Sequence, residues 1–242
     1  MRLDSPSWTT MHKIEIPRHA AERALARRQR RHPFEDLNPE HTALLVVDLQ
    51  NGFMAPGQPA EVPAARDIVP NVNRIGSALR EAGGIVVFIQ HTVDADTLSG
   101  WSSYFENLLS PERGERLQQA FRPGSAGHDL WPGLHVDPRD LKFMKRRFSV
   151  FVPGSSDLHP TLQARGIDTL IITGTATHMC CESTARDAMM MNYKVIFAAD
   201  GNATHSDGEH NASLGNMMFF CDVMMSDEIV GCIGNARSRR SA

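Results

Sequence analysis

"DTLIITGTATHMCCESTARDAMMMNY", residues 168–193, is the stretch that decides the fold. Residues 168–174 form an apolar run that ends in glycine and read as a central strand. Residues 180–193 read as a helix, and the small residues of "GTATHM" suit a tight turn between the two. A strand that passes through a turn into a helix is the repeating unit of an α/β sheet. Two adjacent cysteines, Cys180 and Cys181, stand at that turn in a chain that holds only four.

The same alternation extends in both directions. "TALLVVDLQ" (42–50) and "GIVVFIQH" (84–91) are continuous apolar runs, the mark of strands covered on both faces. "RDLKFMK" (139–145) is a weaker third strand, "KVIFAAD" (194–200) a further one, and "CDVMM" (221–225) a last edge strand. Helices are expected over 64–82, where Ile68, Val72, Ile75 and Leu79 share a face, over 157–167, and over 206–220 from a Ser or Asp cap. Residues 92–135 are longer than most connections and hold Trp101, Tyr104 and Trp131; such a segment carries function or a short helix or two. The expected fold class is α/β, with a mainly parallel sheet and helices on both faces in three αβα layers. There is no internal repeat and no GxGxxG fingerprint of a dinucleotide site.

Composition bounds the partners. A chain of 242 residues buries one large core, and a formal net charge of -3 gives no strong attraction to polyanions such as nucleic acid. Four cysteines without paired spacing point to neither a disulfide framework nor a zinc site, and fit a reducing, cytoplasmic setting. The first twenty residues include Asp4 and Glu15 and lack the apolar segment of a signal peptide, and no run reaches membrane-spanning length. Three regions are expected: an arm over 1–37, extended or helical, making a subunit contact; one α/β domain over 38–233; and a flexible tail over 234–242. In the arm, "RHAAERALARRQRRH" (18–32) reads as a solvated helix rather than a nucleic-acid-binding segment, because Glu22, Glu35 and Asp36 dilute its charge.

Ligands of parallel sheets bind beyond the carboxyl ends of the strands, and three reactive residues fall there: Asp48, Lys145 and Cys180. Asp48 is either a loop anchor or an acid–base group, and the residue alone does not separate the two. Lys145, alone, is one cation of a basic cluster with Arg146 and Arg147. Cys180 opens a helix, where the positive end of the macrodipole favours thiolate; its bland reading is a buried, inert thiol. Cys181 leaves the helix about 100° away and reads as packing. "AMMMNY" and "NMMFF" read as helix packing too.

"LLVVDLQNGF" (44–53), "KRRFSVF" (145–151) and "GTATHMCCESTARDA" (174–188), in this order, resemble the isochorismatase-like cysteine hydrolases over roughly residues 40–230. Within that family the patterns look most like ureidoacrylate amidohydrolases, with N-carbamoylsarcosine amidohydrolase and nicotinamidases more distant. The resemblance implies the Rossmann-like hydrolase fold and a triad of Asp48, Lys145 and Cys180. Cys180 would be the nucleophile, Asp48 the acid–base group and Lys145 the cation beside both. An oxyanion would be held by the N–H groups of Ala176 and Cys180, with a cis bond at Thr175–Ala176. The implied reaction is hydrolysis of a small linear amide, most like a ureido or carbamoyl compound, through a thioester. The rivals are vinyl-ether hydrolysis, in which Asp48 protonates the vinyl group, and a binding or regulatory protein on the same scaffold.

Nicotinamidase relatives bind a divalent metal through an Asp-x-His pair and further histidines. Residues 51–90 hold no histidine and His91 alone makes no such site, so no metal and no other cofactor are expected. Gln90 aligns with a glutamine of ureidoacrylate enzymes and reads equally as a strand-end residue. Asn51, Phe53, Trp101 and Tyr104 are candidate pocket walls, the two large aromatics equally candidate subunit contacts. His178 either touches substrate or bonds within its loop. Arg146 or Arg147 would pair with a substrate carboxylate, and His210 reads as surface or interface. Family members are often dimers or tetramers, which implies a homo-oligomer.

Overall fold

The apolar runs become strands because helices cover both of their faces. The computed structural model describes residues 11–241; the first ten residues of the expected arm and Ala242 lie outside that range. The strands are β1 (Thr42–Val47), β2 (Ile85–His91), β3 (Leu141–Lys145), β4 (Thr169–Thr175), β5 (Lys194–Ala203) and β6 (Asp222–Met224). The helices are α1 (Arg18–Arg28), α2 (Asn51–Met54), α3 (Val69–Glu81), α4 (Ala95–Gly100), α5 (Ser102–Asn107), α6 (Pro111–Phe121), α7 (Leu158–Ala164), α8 (Glu182–Met190), α9 (Asp207–Phe220) and α10 (Ser226–Ser241).

All neighbouring strands pair in parallel, in the order β3-β2-β1-β4-β5-β6. Chain direction across the sheet reverses between β1 and β4, so a crevice opens beyond their carboxyl ends. Within β1, Ala43, Leu45 and Val47 pack with Leu158 and Leu162 of α7, Ala185 and Ala188 of α8, and Leu214 and Met217 of α9. Leu44 and Val46 pack on the other side with Val72, Ile75 and Leu79 of α3 and Ile229 and Ile233 of α10. Alternate residues thus feed two separate cores, which is why the run shows no polar alternation. Each such side chain contributes about 1.5–3 kcal/mol of burial. β3 read weakly because it is an edge strand whose Lys142 and Met144 face solvent.

Several boundaries move for local reasons. The helix expected over 64–82 begins at Val69, after a separate 3₁₀ turn over Pro63–Arg66; Pro70 fits in its first turn, where no N–H is needed. The helix expected over 180–193 is a wider turn over Thr177–Cys181 followed by α8, which ends before Asn192 at φ 71°. β5 continues past residue 200 because Asn202 Nδ2 donates to Ile172 O (3.0 Å) and Ala198 O (2.7 Å), bridging the register shift against β4. The segment 234–241, expected to be a flexible tail, is helical: it continues α10, whose Ile229, Ile233 and Ala236 are buried. Residues 92–135 hold three helices, α4 to α6, over a small core of Val93, Leu117 and Phe121.

The basic helix α1 is spent on its own chain. Ala20 and Ala24 are buried, while Arg27 donates to Phe219 O (2.6 Å) and Arg28 to Cys221 O (2.6 Å) and Met218 O. These guanidinium groups satisfy carbonyls at and just beyond the end of α9, which an ending helix leaves without partners.

Gly174 decides how closely β4 approaches β1. Its φ is 130°, and a Cβ there would lie 2.0 Å from Val47 O. Gly174→Ala is expected to destabilise by about 2–3 kcal/mol through this clash and the backbone strain. Denaturant unfolding of the variant checks it, and an unchanged midpoint would refute the tight approach.

Candidate active site

The switch point brings the three strand-end residues together. After Val47 the chain leaves β1 through Asp48, which adopts a left-handed φ of 59°, a conformation Asp tolerates better than most residues. Its N–H donates to Ile89 O (2.9 Å). Lys145 is the last residue of β3 and reaches across the end of β2. Its Nζ lies 2.8 Å from Asp48 Oδ2, and both side chains are 0% exposed. Nζ also donates to Cys180 Sγ (3.3 Å) and Arg147 O (3.1 Å). An ammonium has three N–H donors, and all three are thereby engaged.

Cys180 lies in the turn after β4, before α8 begins. The Thr175–Ala176 peptide bond in that turn is cis, and Ala176 O accepts from Met179 N (3.0 Å) and Cys181 N (3.3 Å). Thr177 Oγ1 is 2.9 Å from His210 Nδ1, and His210 Nε2 is 3.0 Å from Ala199 O. His210 was expected at the surface or an interface; it is fully buried instead, because it ties the turn to β5 and α9. Cys181 packs in the core with Ala185 and Ala188.

Burial sets the proton inventory. It pushes the Asp48 carboxyl up, against the neighbouring Lys145 charge and hydrogen bonds from Cys180 and Lys145. Burial also pushes the Cys180 thiol up; the Asp48 charge adds to this, and Lys145 offsets part of it. For Lys145, burial works downward, but Asp48 and Cys180 together raise it. Burial and the Asp48 charge therefore work against the helix-start thiolate expected from sequence. α8 starts only at Glu182, and a second anion beside Asp48 is disfavoured in a buried site. Burial thus works against charge on both Asp48 and Cys180, while these two neighbours favour the charged form of Lys145.

Cys180 opens into a cavity of about 90 Å³ beneath the α4–α6 cap. Phe53 and Tyr104, expected as walls, line it with Phe105, Leu117, Phe121 and Phe148. The other candidate substrate contacts are turned elsewhere. Asn51 Nδ2 donates to Ala126 O (2.9 Å) and Gln90 Nε2 to His128 O (2.7 Å). Trp101 stacks on Tyr104 with centroids 4.4 Å apart, behind the wall. His178 Nδ1 is 2.9 Å from Thr204 Oγ1. Arg146 and Arg147, read as partners of a substrate carboxylate, are also engaged: Arg146 grips Asp94 (2.7 Å) and Arg147 donates to Gly100 O (2.7 Å).

His91, Arg113 and His205 line the cavity and were not singled out as its walls. Burial, then the nearby Lys145 charge, hold His91 well below the ordinary histidine range, so it is neutral. Only its place at the end of β2 signalled it. Among the described residues no group of three or more His, Cys, Asp or Glu side chains is placed to hold a metal ion, and no helix is long and apolar enough to cross a membrane.

Residues 42–228 match the isochorismatase domain family. A probable inactive nicotinamidase of Arabidopsis thaliana is 32% identical over 73% of this chain and 88% of its own length. The ureidoacrylate amidohydrolase RutB of Methylobacterium radiotolerans is 34% identical over 76% of each chain. The crystal structure of a cysteine hydrolase from Pseudomonas syringae pv. phaseolicola superposes with a TM-score of 0.73 at 29% identity, covering 83% of this chain and 96% of that one.

Proposed function

Because the chain belongs to the isochorismatase family of hydrolases, we propose that it is a cysteine-dependent amidohydrolase of small linear amides, ureido or carbamoyl compounds above all. One observation carries the reading: Lys145 Nζ contacts Asp48 Oδ2 (2.8 Å) and Cys180 Sγ (3.3 Å) at the wall of a cavity. In the first step Asp48 takes the Cys180 proton and the sulfur attacks the amide carbon. The Asp48 charge moves to sulfur and then to the carbonyl oxygen, so the buried total is unchanged and no net charge is desolvated. The N–H groups of Ala176 and Cys180 would hold that oxygen. As the tetrahedral centre collapses, Asp48 returns the proton to the leaving nitrogen and ammonia or an amine departs. Water then cleaves the thioester, with Asp48 again taking a proton. The described side chains supply every proton transfer, so the reading needs neither a metal nor a cofactor.

Ammonia release from ureidoacrylate, N-carbamoyl amino acids and simple primary amides tests the reading. Turnover of the ureido or carbamoyl compounds supports it, and no release from any of the panel overturns it. The pH profile tests the proton inventory. The active form has ionised Asp48 and protonated Cys180. Raised values for both place the acid limb of kcat/KM above the ordinary carboxylate range of about 4 and the alkaline limb above the ordinary thiol value of about 8.5. A rate controlled by a thiol ionising near about 6 would instead indicate a preformed thiolate.

The unpaired cysteines support a reducing, cytoplasmic setting. Exposed Leu25, Met190 and Phe219 on α1, α8 and α9 support a homo-oligomer, which light scattering on the purified protein would detect.

A further inference from the structure

The cavity wall is unusually one-sided in its charge. Its body is aromatic and aliphatic: Phe53, Phe105, Leu117, Phe121 and Phe148. No Asp or Glu side chain lines it, and Arg113 is its only Lys or Arg among the described residues. Other arginines near the site are occupied, Arg146 by Asp94 and Arg147 by Gly100 O. The Arg113 guanidinium has no ion-pair or hydrogen-bond partner among the described residues. It stands exposed in the first turn of α6, where Ser110 Oγ accepts from its backbone N–H (3.3 Å). The cap that encloses the apolar wall therefore also carries an uncommitted cation to its rim.

We propose that Arg113 determines specificity by pairing with an anionic group, a carboxylate above all, at the end of the substrate away from the scissile amide. The substrate class is then an amide whose carbamoyl or ureido end meets Cys180, whose short apolar middle lies against Phe53, Phe121 and Phe148, and whose acid end reaches the rim. The chemistry of the wall supports each part. A short apolar linker suits an aromatic and aliphatic wall. A carboxylate suits a guanidinium, which binds it in a fork, and a wall without acids does not repel it. This inference rests on the amidohydrolase reading for the scissile bond, but the cation and its empty surroundings are independent of that reading.

The test compares 3-ureidopropanoate with its neutral methyl ester in the full-length enzyme. Wild type is expected to prefer the acid. Arg113→Ala is expected to lower the ratio of kcat/KM for acid over ester by about 10- to 50-fold, mainly through KM, the range for losing a charge-assisted contact. Arg113→Lys is expected to recover part of the ratio, and added salt to erode it in wild type, since an exposed pair is screened. Arg116→Ala, one residue row away on the same helix and outside the cavity wall, is expected to leave the ratio unchanged. An unaltered ratio in Arg113→Ala overturns the proposal.

Should wild type cleave neither of these two compounds, the amidohydrolase reading is judged on the wider amide panel, and the cation is read by alkylation. 3-Ureidopropanoate that slows iodoacetamide labelling of Cys180 in wild type but not in Arg113→Ala upholds the anion site. Equal protection in both, or none in either, overturns it.

Discussion

Cys180→Ala is expected to abolish ammonia release, a loss of at least about 10⁴-fold in kcat, while the protein stays folded. The loss is that large because, in the proposed mechanism, the sulfur is the atom that bonds to the substrate carbon, and no neighbour can replace it. Cys181 is fully buried in the core, and it cannot substitute without unwinding the turn. The fold should survive because only the thiol is removed from a wall that is already partly cavity, at a cost of about 1 kcal/mol. Cys181→Val supplies the opposite control: a packing change in the same turn that should keep turnover within about threefold. Steady-state ammonia assays and thermal unfolding of the three proteins check both arms. The same variant separates the two chemistries open to this fold. Vinyl-ether hydrolysis needs an acid, Asp48, and no thiol, so activity that survives Cys180→Ala in a clean preparation would replace the thioester mechanism with protonation.

How much of this was legible in residues follows from how each part is held. The sheet was legible because β1, β2, β4 and β5 are buried on both faces, which leaves an uninterrupted apolar signature. Asp48, Lys145 and Cys180 were legible because a parallel sheet gathers its strand ends at one edge, and because a charged residue is conspicuous beside an apolar run. The cavity wall was not. Arg113, Phe105 and Leu117 come from α5 and α6, short amphipathic helices whose inner face touches substrate space and whose outer face touches water. In sequence Arg113 is one charge among Glu112, Glu115 and Arg116, and only its place in the cavity wall sets it apart. Gln90 and His178, each read as either a substrate contact or a locally bonded residue, are bonded to His128 O and Thr204 Oγ1 for a related reason. Each lies beside a site residue in the chain, but a strand end and a loop both have backbone and hydroxyl partners to satisfy, and those partners took them.

Lys145→Met is expected to cost about 3–5 kcal/mol of stability and at least about 10³-fold in turnover, and the two losses should separate in a double variant. Removing the ammonium leaves Asp48 as a fully buried carboxylate without its cation, the costly half of a broken buried pair. Its proton affinity, already raised by burial, then rises further, so near neutral pH the group is held protonated and can no longer accept the thiol proton. The sign of the pH dependence follows. A carboxyl whose folded pKa exceeds its unfolded value of about 3.9 keeps a proton that the unfolded chain releases, so its contribution to stability is lost as pH rises through the folded value. Lys145→Met should therefore be closer to wild type at pH 5 than at pH 8 in denaturant unfolding. Asp48→Asn leaves the opposite orphan, a buried ammonium. Combining Asp48→Asn with Lys145→Met leaves neither charge and should recover most of the stability, while turnover stays lost because the acid–base group is gone. Stability that stays low in the double variant would mean that Lys145 acts mainly through packing. An active, stable Lys145→Met would remove the cation from the mechanism and leave Asp48 to activate the sulfur alone.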